Sequence, residues 1–236
     1  MTEEVARLLK QIRDRAMLVN SFIADYHCVY HSGPLPYEAT GRTYFQRPDR
    51  IRSEVSVNGK SIVSIRNGTL IRRYSPAGKE VWQYDLKDLP QTQPINFGIA
   101  DITDPFFAVD EATLQYVGQP ESMNHVFIGM LGLPVTEGML DTRKGFSIPY
   151  KPRAPQIRVR LVVDAETGLL REMIGTDNAG SESFKTQFGP FEVNCHFDES
   201  LFRIEESKSG YRIVEMKDIM ISAMNPDYAD RPPSLN

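Results

Sequence analysis

The sequence predicts an α+β protein built on a large antiparallel sheet with helical cover. Three observations carry that expectation: tight turns that fold one long stretch back on itself, a second set of strand-and-turn signals in the C-terminal half, and an amphipathic helix ahead of both. Residues 39–86 contain Asn58-Gly59 and Asn67-Gly68, and Asn-Gly pairs suit the φ > 0 conformations of two-residue hairpin turns. Ser75-Pro76-Ala77-Gly78 supplies a further turn. Short strands joined this way form an antiparallel meander. Such a meander either packs as a barrel or sandwich, or stays open and cups a ligand.

The elements follow in order. From Glu3 to about Asn20, Val5, Leu8, Leu9, Ile12, Ala16 and Val19 recur at helical spacing and make one apolar stripe. Thr2 is the N-cap, and Glu3 and Glu4 favour the positive end of the helix dipole. Ser21 to Tyr30 reads as the first strand, stopped by Gly33-Pro34-Leu35-Pro36. Leu89 to Pro105, rich in proline, glutamine and asparagine, reads as a long loop. Asp104 as cap and Pro105 at the first helical position predict a helix to about Val117, carrying Phe106, Phe107, Val109 and Leu114. His125 to Leu131 is apolar enough for either a strand or a short helix.

Gln156 to Val163 and Leu169 to Ile174 flank an Asp164-Ala165-Glu166-Thr167-Gly168 turn. Ser183 to Phe188 and Phe191 to Phe197 read as two more strands, and Tyr211 to Val214 as an edge strand. With no repeat or linker, residues 1–224 form a single domain, and residues 225–236 an irregular tail.

Turn parity predicts which face each side chain takes. A two-residue turn at Asn58-Gly59 sets Val57 opposite Lys60 and Val55 opposite Ile62 on one face. The same rule at Asn67-Gly68 sets Ile65 opposite Leu70 and Val63 opposite Arg72, on the other. Apolar residues thus occupy both faces. Either a bulge restores one-sidedness, or both faces are covered, with helices on one side and an apolar cavity on the other.

Composition narrows the function. The 236 residues are 41% hydrophobic and 25% charged, which supports a sizeable core in one domain. A net charge of −4 argues against nucleic-acid binding, which needs clustered excess cation. Arg47, Arg50, Arg52, Arg66, Arg72 and Arg73 do cluster, but Glu54, Glu80 and Asp85 lie among them, as on a solvated strand face. No stretch approaches the run of about 20 apolar residues that spans a bilayer. The start MTEEVARLLK is charged and helical rather than a signal peptide, so either the protein is cytoplasmic or an export signal has been removed. Cys28 and Cys195 either pair in an oxidising compartment or are two buried free thiols.

The catalytic inventory is thin: no glycine-rich phosphate loop, no G-x-S-x-G elbow, no H-E-x-x-H helix. His27, Cys28, His31, Cys195 and His196 alone suggest a metal site. On strands, His27 and His31 share a face while Cys28 points the other way, so packed or surface side chains are the expectation, with no metal and no cofactor. Acidic residues show no paired spacing for acid–base work, and no catalytic residue is assigned. Tyr44, Phe45, Tyr74, Trp82 and Tyr84 lie on the meander strands, where they either pack a core or line an apolar pocket.

At these residues the chain resembles the LolA-like superfamily of periplasmic lipoprotein carriers. The likeness lies in the N-terminal helix, Gly41 to Pro48 (GRTYFQRP) with Asp49-Arg50-Ile51-Arg52, the Ile62 to Pro76 hairpin, the Asp164 to Leu169 hairpin, and Asp198-Glu199-Ser200-Leu201-Phe202. It departs where Gln46 replaces a common basic residue and Arg72 an aromatic, and in its greater length. The resemblance implies an incomplete antiparallel barrel, closed on one side by helices, around a cavity for lipoprotein acyl chains. It also implies that Arg47, before the strand-ending proline, ties down the helical lid. On this reading the protein is a monomeric, non-enzymatic carrier of lipid or lipoprotein acyl chains in the periplasm or cell envelope. Phe45, Ile51, Val55, Ile65, Trp82 and Tyr84 are the candidate lining. A regulatory module binding an envelope protein partner is the alternative, and an enzyme with its site in the cavity comes third.

Overall fold

A computed structural model describes residues 2–31, 37–57, 59–75, 79–85, 87, 103–106, 109–118, 123–131, 138–141, 147–150, 157–203 and 211–215. Helix α1 spans Glu3–Leu18, and the Thr2 hydroxyl caps it by accepting from Val5 N at 3.3 Å. The first meander runs β1 (Ser21–Tyr30), β2 (Tyr37–Gln46), β3 (Arg50–Val57), β4 (Lys60–Asn67), β5 (Leu70–Ser75) and β6 (Glu80–Asp85). After it come β7 (Val109–Gly118), β8 (Asn124–Leu131), β9 (Gly138–Asp141), β10 (Ser147–Tyr150), β11 (Arg158–Asp164), β12 (Leu170–Thr176), β13 (Glu182–Phe188), β14 (Glu192–Val193) and β15 (Arg212–Glu215).

Thirteen of these strands form one sheet, in the order β15-β6-β5-β4-β3-β2-β1-β13-β12-β11-β8-β7, with β14 beside β1. Among the described strands only β15 pairs in parallel. The sheet does not close on itself, and β9 and β10 form a separate hairpin. The expected tail at residues 225–236 and nearly all of the expected loop at 89–105 lie outside the described residues.

Alternation assigns the faces. Phe22, Phe45 and Ile51 share one row, and Ala24, Thr43 and Ser53 the next, all on the side that carries α1. Along α1, Ala16 and Val19 pack on Phe22, Phe45 and Leu169, while Leu9 and Ile12 pack on Phe127, Val159, Leu161 and Val163. The helix therefore lies across the middle of the sheet and into its β8–β11–β12 half. Phe197 and Phe202, the latter in a 3₁₀ turn at Glu199–Phe202, cover Ile65 on the outer face, with Ile23, Tyr44 and Val63 packed around them. Both faces thus carry apolar clusters, packed by α1 on one and by the 3₁₀ turn on the other.

Three expectations are corrected. The helix expected from Asp104 to about Val117 is instead β7, from Val109. Its buried side chains Val109 and Leu114 are five apart, a spacing that a strand reaches only through an irregularity. The register against β8 shifts between Asp110 and Gln115, where Thr113 Oγ1 donates to Asp110 O at 2.6 Å and accepts from Met130 N at 2.8 Å. The second Asn-Gly hairpin turns at Gly68 and Thr69, so Ile65 pairs with Arg72 and Val63 with Tyr74; the parity survives because the slip is even. Finally, the Phe191 to Phe197 strand shrinks to β14, since Asn194 takes a φ of +57° and turns the chain away. The segment at His125 to Leu131 is strand β8.

Candidate functional site

The site is built where α1 meets the meander. Arg47 follows β2 and is half-buried; its Nε donates to Val19 O and its Nη2 to Ala16 O, both at 2.9 Å. Those carbonyls lie at the negative end of the helix, where Ala16 O also accepts from Val19 N, so a guanidinium there supplies hydrogen bonds and complements the dipole together. The same guanidinium lies 5.6 Å from the Phe45 ring centroid. At the other flank, Gly168 (φ +72°) ends the β11–β12 turn against the Ile12 carbonyl, and Arg15 donates from Nη1 to Ala165 O. Asp164 organises that turn. It accepts from Glu166 N, Thr167 N and Thr167 Oγ1 and pairs with Arg171 at 2.8 Å. Burial opposes its charge, but the Thr167 and Arg171 hydrogen bonds outweigh it and hold the carboxyl below the usual range.

Beyond the reach of α1's packing, the helix-side face of β3–β6 forms a wall. Val55 and Ile62 are opposite one another and half-buried, and Trp82 is 39% exposed with its indole N–H on Glu80. The expected lining residues separate accordingly. Phe45 lies buried beneath α1, Ile51 packs half-buried at its margin, and Val55 and Trp82 are open on the wall. Tyr84 pairs with Ile71 in the β5–β6 register. Ile65 is on the opposite face, under Phe197 and Phe202, because its pairing with Arg52 puts it one step out of phase with Ile51.

The arginines expected on one solvated face are divided by the sheet between its two faces. Arg50, Arg52 and Arg72 lie on the outer face, where Arg50 and Arg52 meet Glu199 and Glu54 and Arg72 bonds Gln83. Arg66 and Arg73 lie on the wall. Counting two residues at a time from Ile51 through each hairpin would have separated them. Across β1–β4, an open groove of about 830 Å³ is lined mostly by outer-face groups, among them Asp25, His27, Arg42, Tyr44 and Glu54. Arg42 binds Asp25 in bidentate fashion at 2.6 and 3.0 Å. Charged and hydroxyl groups edge that groove, but Tyr26, Tyr44, Val55 and Phe188 make more of its lining apolar than polar.

His27 contacts Glu38 at 2.7 Å and His31 contacts Glu182 at 3.6 Å; no cluster suited to a metal occurs among the described residues. Cys28 and Cys195 are free thiols. Cys28 is buried on the helix side, where burial pushes its thiol pKa up, whereas Cys195 packs on the outer face beside Ile65.

His125 sits on β8 with its Nδ1 3.2 Å from Tyr116 OH and its Nε2 buried without a hydrogen-bond partner. Burial, with the Arg15 charge nearby, pushes its pKa down. The unfolded chain therefore binds this proton more readily. Stability is greatest above the unfolded value of about 6.5 and falls as pH drops below it. The expected result is a lower urea midpoint at pH 5.5 than at pH 7.5, with the difference reduced in His125→Gln.

No family model matches the sequence, and no curated protein matches it. Solved structures do. An uncharacterized conserved protein from Thermus thermophilus superposes with a TM-score of 0.53 at 12% identity, over 90% of this chain and 99% of that one. Similar structures include the LolA superfamily protein NE2245 from Nitrosomonas europaea, at TM-score 0.38 and 9% identity over 85% and 97% of the two chains. The Pseudomonas aeruginosa MucA/MucB complex matches at 0.40 and 14% identity over 85% of this chain and 61% of that one. At these identities the likeness concerns the fold alone. No described helix is long and apolar enough to cross a membrane.

Proposed function

We propose that this chain is a non-enzymatic binding protein of the cell envelope that holds an acyl chain of a lipid or lipoprotein against the β3–β6 wall. The observation that carries the reading is the placement of half-buried Val55 and Ile62 and exposed Trp82 on the helix-side face, beside the end of the helix that Arg47 holds. Burying an acyl chain contributes roughly 0.8 kcal/mol per CH₂, so micromolar binding needs apolar area rather than many polar contacts. Ile51 and Phe45 extend the lining as α1 shifts, and Arg47 is the latch that resists the shift.

Native mass spectrometry of the purified protein, with extraction of bound lipid, tests this. Copurified lipid, or saturable binding of an apolar fluorescent probe weakened by Trp82→Ala, is expected; a chain that takes up neither sinks the proposal. Arg47→Leu removes two charge-assisted hydrogen bonds and is expected to cost about 2–3 kcal/mol. It should also speed probe release. Unchanged release with reduced stability would leave Arg47 a purely structural clamp.

A second reading rests on the outer groove. Its Asp25–Arg42 pair and hydroxyls beside aromatic and aliphatic side chains suit a protein segment of mixed polarity, so a regulatory module binding an envelope partner there is the alternative. Arg42→Glu would abolish partner capture on that reading and leave probe binding unchanged.

A further inference from the structure

The cations of the wall are placed unlike those of the face behind it. On the outer face Arg42, Arg50 and Arg52 each have a carboxylate, on Asp25, Glu199 and Glu54. On the wall, Arg66 pairs across to Ile71 and Arg73 to Ser64, which makes the two guanidinium-bearing residues diagonal neighbours on β4 and β5. Diagonal neighbours on one face sit about 7–8 Å apart, within mutual reach of long side chains. Arg66 Nε donates to the Gly68 carbonyl at 2.9 Å and Arg73 Nε to Ser64 Oγ at 3.4 Å, and neither has an acidic partner among the described residues. Glu80 shares the face, but its oxygens accept from Trp82 and Arg212. Arg73 stands directly opposite Trp82, and Ser64 lies one step along the face from Ile62.

Two neighbouring like charges without a counter-charge disfavour the free protein and favour a ligand that brings an anion. The same patch offers half-buried aliphatic side chains and an exposed indole. We propose that the ligand of this wall is an anionic amphiphile: its carboxylate or phosphate lies between Arg66 and Arg73, and its hydrocarbon chain runs over Ile62, Val55 and Trp82. The inference rests on the acyl-binding reading and specifies the ligand class for that same surface. The two arginines are binding residues that set specificity, with no part in any reaction.

Displacement of an apolar fluorescent probe by monomeric ligands tests it. Oleate and dodecyl phosphate are compared with methyl oleate, and with acetate and inorganic phosphate as chainless anions. The expected result is displacement by the two amphiphilic anions at concentrations at least tenfold below those of methyl oleate, with no displacement by acetate or phosphate. The double variant Arg66→Gln/Arg73→Gln should lose that tenfold preference and keep methyl oleate affinity within twofold. Raising the salt concentration should narrow the preference in the parent protein. Equal affinity for oleate and its ester, or a preference that persists in the double variant, overturns the inference and leaves acyl binding standing. Displacement by inorganic phosphate alone overturns it in favour of a simple anion site. Failure of the probe and every chain-bearing ligand to bind removes the acyl reading as well.

Discussion

Gly168→Val is expected to lower stability by about 4 kcal/mol or more, the range reserved for changes with a specific structural cause. Gly168 has a φ of +72°, a conformation that costs an L side chain about 1–2 kcal/mol. The larger part comes from α1. A Cβ at this position would overlap the Ile12 carbonyl oxygen and lie 2.9 Å from Ala16 N, both backbone atoms with no rotamer to relieve the clash. The helix would have to lift, and with it the packing of Ile12, Ala16 and Leu169 would open. Urea denaturation of the variant measures this. A loss under about 1 kcal/mol would show that α1 does not press on the β11–β12 turn.

Phe127→Ala is the second large effect, expected to cost about 3–5 kcal/mol because the ring is fully buried and leaves a cavity. Phe127 meets Phe106 edge-on with centroids 5.1 Å apart, and Tyr116 at 5.2 Å. It also belongs to the cluster on which Leu9 and Ile12 of α1 rest. The urea midpoint should fall with the slope unchanged. Trp82→Ala, on the open wall, should cost far less stability while weakening the probe. On the proposed reading, stability and binding should separate between the two halves of the sheet.

What the sequence could reveal depended on regular periodicity. Helix α1, the first strand and the Asn58-Gly59 hairpin were legible to within a residue or two, because apolar spacing, caps and turn chemistry all agreed there. The β7 region was misread because Asp104-Pro105 imitates a helix start and the Thr113 irregularity shifts the apolar phase. That shift depends on a hydrogen bond to Met130, seventeen residues away, which no local pattern encodes. Parity found apolar residues on both faces, yet it could not say what covers each. Ile65 joined the candidate lining for that reason, and only the Phe197–Phe202 segment places it elsewhere. The Arg47 contact with α1 has no signal in the residues themselves, since its acceptors Ala16 and Val19 are backbone carbonyls without a side-chain signature. That Arg66 and Arg73 have no acidic partner among the described residues follows from side-chain placement across three strands, which no local pattern encodes.

The position of β1 has a consequence for how the chain reaches this structure. One edge of β1 pairs along its whole length with β2, which follows it directly; the other edge waits for β13 and β14, about 160 residues later in the chain. Helix α1 waits too, since its seat includes Val159, Leu161 and Leu169. During synthesis the meander can form early, but its edge and its greasy side stay uncovered until the last third of the chain emerges. Contacts so distant in sequence slow folding, by loop-closure entropy that must be overcome before they contribute. A sheet left with an unpaired edge and an uncovered apolar face is prone to aggregate, so refolding yield is expected to fall with protein concentration.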